Sequence, residues 1–326
     1  MLSKRAKSVI HFHFIVFIFG FTSILGVLID KDAISLVWYR MLMASLFLIV
    51  FLFLFKKKKF EFNYNLLYKL VAAGFLIAAH WLSFFYAIKM VGVSPTLAML
   101  SSGALITAVL EPVFYNRKIL FSEILFGGIT MIGMFVIFKT SPEDWLGMLV
   151  ALIATVLGVF CTLINGVLIK DNSSVIITLG EMMIGVGFIS LYVLFSGGFD
   201  TSFFTITTSD FLYLIILGSV CTAYAITFSI EVMKQLNPFT IMLIINMEPI
   251  YGIILALLIF GDGELMSSGF YIGLSIILFA IISNSIVKGY QIKTRTRVGQ
   301  LNEGDEAISE KNPQLGRESL SITHFN

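Results

Sequence analysis

Residues 80–87 read His80-Trp81-Leu82-Ser83-Phe84-Phe85-Tyr86-Ala87 and lead, through Val93-Ser94-Pro95-Thr96, into a long apolar run. A second stretch repeats this layout: Thr222-Ala223-Tyr224-Ala225-Ile226-Thr227-Phe228 leads, through Leu236-Asn237-Pro238-Phe239, into another apolar run. Proline is tolerated where such a run begins, because the first-turn amide of a helix has no partner within the helix. The two stretches therefore predict a chain built from two similar halves, whose equivalent prolines lie 143 positions apart.

The composition of the 326 residues is that of an integral membrane protein. Hydrophobic types make up 58% and charged types 13%, and the mean hydropathy is +0.94. A soluble domain is nearer 45–50% apolar and about 25% charged. The two cysteines, Cys161 and Cys221, both lie in apolar stretches, so neither a disulfide framework nor a Cys-x-x-Cys metal site is indicated.

Ten runs are long enough to cross a bilayer as helices, because about 20 apolar residues span its hydrocarbon core. They are continuously apolar, whereas the strands of a membrane barrel alternate. The sequence therefore predicts an all-α integral membrane fold with ten transmembrane helices, at about 9–28, 35–55, 67–90, 95–115, 121–139, 145–168, 176–196, 210–233, 238–260 and 265–287.

The orientation follows from the distribution of Lys and Arg, which accumulate in cytoplasmic loops. With both termini inside, 18 of the 22 basic residues fall on the cytoplasmic side and three fall outside. Both the N- and the C-terminus are therefore predicted to be cytoplasmic. The charged, weakly hydrophobic residues 290–326 are predicted to form a disordered cytoplasmic tail.

The predicted helices that begin at the two prolines are the fourth and the ninth, which makes the repeat unit five helices long. An odd unit enters the membrane from opposite sides in its two copies, so the repeats should be inverted. Many secondary transporters are built in this way, with the substrate site near the midplane between the repeats. We assign residues 1–140 to the first five-helix repeat and 141–289 to the second.

Four short motifs make the chain similar to the drug/metabolite transporter superfamily, and specifically to its EamA-type ten-helix exporters. The motifs are Trp38-Tyr39-Arg40, Gly92-Val93-Ser94-Pro95, Asn246-Met247-Glu248-Pro249 and Phe260-Gly261-Asp262-Gly263-Glu264. The resemblance covers about residues 9–287 and implies a ten-helix exporter. One feature departs from a symmetric pattern: Glu111-Pro112 lies 16 residues after Pro95, but Glu248-Pro249 lies 10 after Pro238, so the two glutamates are not equivalent.

The candidate substrate-binding residues are polar or aromatic residues deep within the predicted spans. A charge at the bilayer centre costs at least about 2.5 kcal/mol, so a carboxylate at midplane should face a cavity or a partner. Of the glutamates Glu111, Glu181, Glu231 and Glu248, only Glu248 lies at midplane. The predicted set is Trp81, His80, Tyr224, Asn246, Glu248, Thr22, Ser23 and Arg40. Aromatic rings would cover apolar or cationic parts of a small metabolite, and the amide and the carboxylate would fix its polar groups.

Other interpretations of these residues remain open. Trp81 and Tyr224 are also typical packing residues, and His80 could bond to a neighbouring helix. Arg40, near the outer face of its helix, could pair with a lipid phosphate or an outer-loop acid. Asn246 and Glu248 point about 200° apart on a helix, so both can face one pocket only if Pro249 unwinds the backbone there.

The three remaining glutamates, Glu111, Glu181 and Glu231, lie near the predicted cytoplasmic helix ends. They are expected to pair with Lys or Arg at the inner surface.

The function predicted from these features is that of a secondary transporter for a small metabolite such as an amino acid. The chain has no Gly-x-x-x-x-Gly-Lys-Ser/Thr phosphate loop, so it is not expected to hydrolyse ATP. Glu248 and His80 are candidate proton carriers, and no cofactor, metal or nucleic acid is expected. The predicted location is the cell (inner) membrane, as a monomer or homodimer. An integral-membrane enzyme and a non-transporting membrane protein are the alternatives, although the four histidines form no His-Glu-x-x-His motif.

The charge distribution yields a topology test. Reporter fusions at Met1 and Asn326 should both give cytoplasmic signals, because 18 basic residues require that arrangement. Termini on opposite faces of the membrane would rule out the ten-span arrangement.

Overall fold

The computed structural model describes residues 4–55, 64–116, 121–140, 144–236, 241, 244–245, 247–284 and 286–287. Within these residues the chain is helical, with no β-strand. The predicted site residue Asn246, the pair Asn237-Pro238 and the tail 290–326 lie outside the described residues. Internal contacts divide the chain into Met1–Ile281 and Ile282–Asn326.

Thirteen α-helices have bounds in the described residues. They are α1 (Lys4–Leu28), α2 (Ala33–Phe55), α3 (Tyr64–Val91), α4 (Val93–Leu100), α5 (Gly103–Tyr115), α6 (Phe121–Thr140), α7 (Trp145–Leu168), α8 (Ser174–Ser196), α9 (Thr201–Phe204), α10 (Thr208–Gly218), α11 (Ala225–Val232), α12 (Glu248–Phe260) and α13 (Ser268–Asn284). A π-helix, Ser219–Tyr224, joins α10 to α11, and a 3₁₀-helix, Gly261–Glu264, follows α12.

Seven helical segments in the described part of the chain are long and apolar enough to cross a membrane. They are Lys7–Leu28, Ala33–Leu54, Leu66–Val91, Val93–Tyr115, Trp145–Leu168, Ser174–Ser196 and Thr208–Val232. Three shorter apolar helices are Ile124–Thr140, Glu248–Phe260 and Ser268–Asn284. A multi-pass membrane protein is therefore confirmed, while the count of ten crossings, the inverted repeat and the cytoplasmic termini stay predictions.

The beginning of α4 agrees with the sequence pattern at Ser94-Pro95. Gly92 precedes the helix with a φ of 85°, a conformation that L-residues with side chains rarely adopt. Pro95 lies in the first turn, where it removes no intrahelical hydrogen bond. The Thr96 hydroxyl donates to the Gly92 carbonyl oxygen at 2.8 Å. Gly92 thus ends α3 and allows the chain to turn directly into α4.

The predicted fourth span, 95–115, is not one continuous helix. It is interrupted at Ser101 and Ser102, between α4 and α5. The Ser102 hydroxyl donates to the Met99 carbonyl oxygen at 2.7 Å, and the Ser101 hydroxyl donates to that of Leu97 at 3.3 Å. The same two carbonyl oxygens also accept the backbone amides of Ser101 and Ser102, at 3.2 and 3.1 Å. The backbone therefore stays bonded across the interruption, as a spanning segment requires where no bulk water is available.

The packing brings together helices from both predicted repeats. The most extensive contact is between α3 and α7, and α8 also packs on α2 and α3. Helix α1 packs against α12, α4 packs against α7 and α12, and α2 packs against α10. The largest core cluster draws buried side chains from most of these helices, among them Phe12 of α1, Met41 of α2 and Phe85 of α3. The cavity described in the next subsection lies where several of these helices meet.

The crossing of α1 and α12 is made by two glycines. A Cβ atom added to Gly20 would lie 2.9 Å from the backbone nitrogen of Gly252, which is closer than real Cβ contacts. Small residues let membrane helices approach in this way. Because the obstacle is backbone, a flexible side chain cannot relieve it.

We therefore expect Gly20→Val to destabilise the protein by about 1–3 kcal/mol, the usual cost of overpacking. The matched control is Gly187→Val, because an added Cβ at Gly187 of α8 meets nothing within 4 Å. Thermal unfolding in detergent should show a lower Tm for the first variant and little change for the second. Equal Tm values would show that the α1–α12 crossing does not depend on Gly20.

Candidate functional site

A cavity of about 140 Å³ lies where α1, α2, α3, α7, α8, α11 and α12 meet. Its walls combine aromatic and aliphatic side chains with a set of polar ones. The polar and ionisable lining residues are Thr22, Arg40, His80, Trp81, Thr155, Cys161, Thr162, Asn165, Glu181, Ser229 and Glu248. An apolar pocket with a few convergent polar groups is the usual form of a small-molecule site.

Arg40 is the central cation of this cavity, and only 2% of its surface is exposed. Its Nε donates to the Thr222 hydroxyl at 2.7 Å, and its Nη2 lies 3.5 Å from the Cys221 carbonyl oxygen. Its guanidinium carbon lies 3.8 Å from the centre of the Trp81 ring, within the range of a cation–π contact. Among the described residues, Nη1 is buried and has no hydrogen-bond partner. Arg40 is thus held by the π-helix and by α3, with one nitrogen left unbonded.

Glu248 supplies a carboxylate to the same cavity from the first residue of α12. It attracts Arg40, but the two side chains form no ion pair in the described part of the chain. The Met247 amide donates to the Ile244 carbonyl oxygen at 3.0 Å, and α12 then begins at Glu248 with Pro249 in its first turn. The positive end of the helix dipole at this position favours a negative charge. Two opposite charges therefore face the same cavity without a direct contact.

His80 lines the cavity from α3, but part of it is already engaged. Its Nδ1 donates to the Ala154 carbonyl oxygen of α7 at 2.7 Å, and its ring stacks on Phe84 at 6.2 Å between centres. The bond to a neighbouring helix, which the sequence left open, is therefore present. With the proton on Nδ1, Nε2 remains an acceptor.

Glu181 corrects an expectation. It does not pair with a surface cation but lies fully buried on α8, where it lines the cavity. The Cys161 thiol donates to its Oε1 at 3.6 Å, and Asn165 donates to that sulfur at 3.6 Å. In the described residues, Glu181 Oε2 and Asn165 Oδ1 are buried without a hydrogen-bond partner. Glu231, by contrast, pairs with Lys234 at 2.8 Å, as predicted.

Of the remaining predicted residues in the described part of the chain, some line the cavity and others do not. Thr22 lines the cavity and donates to the Ile18 carbonyl oxygen at 3.3 Å. Ser23 is buried and donates to the Gly20 carbonyl oxygen at 2.7 Å, but it is not a lining residue. Tyr224 is 43% exposed, bonds to His11 and lies outside the cavity. Depth along the membrane, from which Tyr224 was predicted, does not determine which face of a helix a residue occupies.

Sequence reasoning missed the contribution of α7. Thr155, Gly158, Thr162 and Asn165 all line the cavity, and their spacing of three to four residues places them on one face of the helix. This polar and small stripe within an otherwise apolar helix is a signal that could have identified them. Among the described residues, no group of three or more His, Cys, Asp or Glu could hold a metal ion.

Comparisons with known proteins bear on the fold and the family. Residues 7–139 match the model of the EamA-like transporter family, which confirms the resemblance over that part of the chain. No curated protein matches this chain. A solved structure described only as "Crystal structure of protein" aligns with a TM-score of 0.61 and 14% identity, over 86% of this chain and 96% of that one. The similarity to this solved structure shows a shared fold alone.

The attraction between Arg40 and Glu248 can be measured by a double-mutant cycle. Arg40→Met and Glu248→Met should each destabilise the protein, because each leaves the opposite charge buried without its partner. The double variant should lose less than the sum, with a coupling of about 0.5–3 kcal/mol by thermal unfolding.

The exposed pair Glu231–Lys234 is the matched control for this cycle, since its side chains are 45% and 43% exposed. Its coupling should be about 0.2–1 kcal/mol. Additive effects for Arg40 and Glu248 would show that the two charges do not interact across the cavity.

Proposed function

We propose that this protein is a secondary transporter that exports a small metabolite, such as an amino acid or a related solute, from the cell. One observation carries the proposal. A buried arginine and a buried glutamate face one cavity at the intersection of the helices, and no ion pair joins them in the described residues. Ionisable groups inside a membrane are costly, and they usually mark a substrate or ion pathway.

The chemistry of the cavity suits a solute that carries both charges. The free Nη1 of Arg40 is a donor for a carboxylate, and such charge-assisted hydrogen bonds are about twice as strong as neutral ones. Glu248 offers an acceptor for an ammonium group. Between them, the Trp81 ring provides an apolar and cation-attracting face. A zwitterionic solute would therefore bridge the two residues that the protein leaves unjoined.

The packing of the helices supports alternating access through inverted repeats. The first helix of one predicted repeat packs on the fourth of the other in both senses, as α1 with α12 and as α7 with α4. The second and third helices do the same, as α2 with α10 and as α8 with α3. Contacts that persist when the repeats are exchanged are those expected of two halves related by an in-plane pseudo-two-fold axis. Exchange of the two halves' conformations would then open the cavity to alternate sides.

The energy for transport would come from an ion or solute gradient. Of the two candidate proton carriers, Glu248 is favoured over His80. The ring of His80 is bonded to the Ala154 carbonyl oxygen, whereas the Glu248 carboxylate makes no hydrogen bond with described residues. Export rather than uptake, and the cell (inner) membrane as the location, are proposed from the family resemblance.

The test uses Glu248→Gln in proteoliposomes loaded with a mixture of radiolabelled amino acids. We expect wild-type vesicles to move at least one labelled solute when a pH gradient is imposed. The variant should lose this gradient-driven flux. An amide keeps the shape of the side chain, but it does not gain and lose a proton as a carboxyl group does.

Glu231→Gln is the control, since it removes a carboxylate that pairs with Lys234 outside the cavity. It should transport like the wild type, and flotation of the vesicles should show equal insertion of all three proteins. Wild-type flux from Glu248→Gln at every pH would remove Glu248 from the mechanism.

A further inference from the structure

The central cavity has a second group of polar residues, apart from Arg40 and Glu248. Glu181 of α8 and Asn165 of α7 both line the cavity, and they are 0% and 4% exposed. Within the described residues, Glu181 Oε2 and Asn165 Oδ1 are buried and accept no hydrogen bond. Burying an acceptor without a partner is costly. Two such acceptors on the wall of one cavity therefore indicate a site for a hydrogen-bond donor.

The Cys161 thiol connects these two side chains. It donates to Glu181 Oε1 at 3.6 Å, and the Asn165 side-chain nitrogen donates to the Cys161 sulfur at 3.6 Å. These bonds leave the second carboxylate oxygen and the amide oxygen as acceptors. No ion pair joins Glu181 to a cation in the described part of the chain. The cluster of Cys161, Asn165 and Glu181 is therefore suited to a donor group that carries a positive charge.

This cluster lies about two helical turns from Arg40. The Cys161 sulfur is 4.0 Å from the Ala73 carbonyl oxygen of α3. The Arg40 guanidinium lies over the ring of Trp81, eight residues later on the same helix. Eight residues of an α-helix span about 12 Å. The cavity therefore has two polar ends, separated by roughly the length of an extended amino-acid side chain with its hydrogen bonds.

The length of lysine fits this separation. An extended chain advances about 3.3–3.6 Å over three bonds, so the six bonds from the carboxylate carbon of lysine to its side-chain nitrogen advance about 7 Å. A hydrogen bond of about 2.9 Å at each end extends the reach to about 13 Å. An amino acid with a short or uncharged side chain would bond to only one end of the cavity.

The formal charges of the cavity favour the same class of solute. With both carboxylates ionised, Arg40, Glu181 and Glu248 carry one more negative than positive charge. A basic amino acid carries one more positive than negative charge, so it neutralises the three residues together. Compensation of this kind is what buried charges require.

We propose that the central cavity selects a basic amino acid, an α-amino acid with a protonated amine on its side chain. The carboxylate of this solute binds Arg40, its α-ammonium binds Glu248, and its side-chain ammonium binds Glu181 and Asn165. The inference rests on the proposed function, since it assumes that the central cavity holds the transported solute. It adds the residues that determine which solute is preferred.

Isothermal titration calorimetry of the full-length protein in detergent tests the proposal with lysine and norleucine. Norleucine has the same carbon chain but no side-chain ammonium. The wild type should bind lysine about 10–100-fold more tightly, the range expected for hydrogen bonds to a charged group. Glu181→Gln should reduce this preference about tenfold or more, and it should leave the affinity for norleucine unchanged.

Asn165→Leu is a second variant, because it removes the amide acceptor and should also weaken the binding of lysine alone. Arg40→Met should weaken both solutes, since both use their carboxylate. Glu231→Gln is the matched control: it removes a carboxylate outside the central cavity and should keep the wild-type preference. Thermal unfolding verifies that each variant is folded, and Asn165→Leu decides the question if Glu181→Gln does not fold.

An unchanged preference for lysine in the folded Glu181 and Asn165 variants would overturn the proposal. Equal affinities of the wild type for lysine and norleucine would also overturn it, because the cluster would then bind only water. In that case the proposed transport of an amino acid would stand. Binding of neither solute by the folded wild type would instead contradict the proposed function as well.

Discussion

The structure depends on keeping the guanidinium of Arg40 inside a membrane-spanning bundle. A charge at that position is costly unless several groups compensate it. The compensating groups come from three different helices: the Trp81 ring from α3, the Thr222 hydroxyl from the π-helix and the Glu248 carboxylate from α12. These helices must meet at Arg40, so the same interactions that fix the packing also create the site. Arg40 Nη1 has no hydrogen-bond partner among the described residues. This nitrogen is therefore available to a bound solute.

The helices of this bundle contain backbone irregularities, two of which adjoin the groups around Arg40. The helix is interrupted at Ser101–Ser102, a π-helix is present at Ser219–Tyr224, and α12 begins at Glu248. Backbone groups at such irregularities must be bonded within the protein, because a membrane offers them no water. At the π-helix, the Thr222 hydroxyl donates to the Leu217 carbonyl oxygen, five residues earlier, at 2.6 Å. Such interruptions are typical of functional sites in membrane helices.

The sequence predicted membrane-crossing segments well, because hydrophobic length is a strong signal. The predicted spans 35–55 and 145–168 differ from α2 and α7 by no more than two residues. The sequence was less successful in predicting how deep a residue lies in its helix, and it predicted poorly which helix face lines the cavity. Glu181, seven residues into α8, was expected at the inner surface, yet it lies buried against Cys161. Hydropathy cannot show that a cavity extends to that level, nor can it show which side of a helix faces the cavity.

Tyr224 and Thr222, two positions apart on the π-helix, have different roles. The two residues lie at nearly the same depth along the helix, but Thr222 bonds to Arg40, whereas Tyr224 bonds to His11 outside the central cavity. Side chains two positions apart point to nearly opposite sides of a helix, so this short stretch contacts two different environments. Because the Thr222 hydroxyl and the Cys221 carbonyl both contact Arg40, the geometry of this turn determines how the central cation is held.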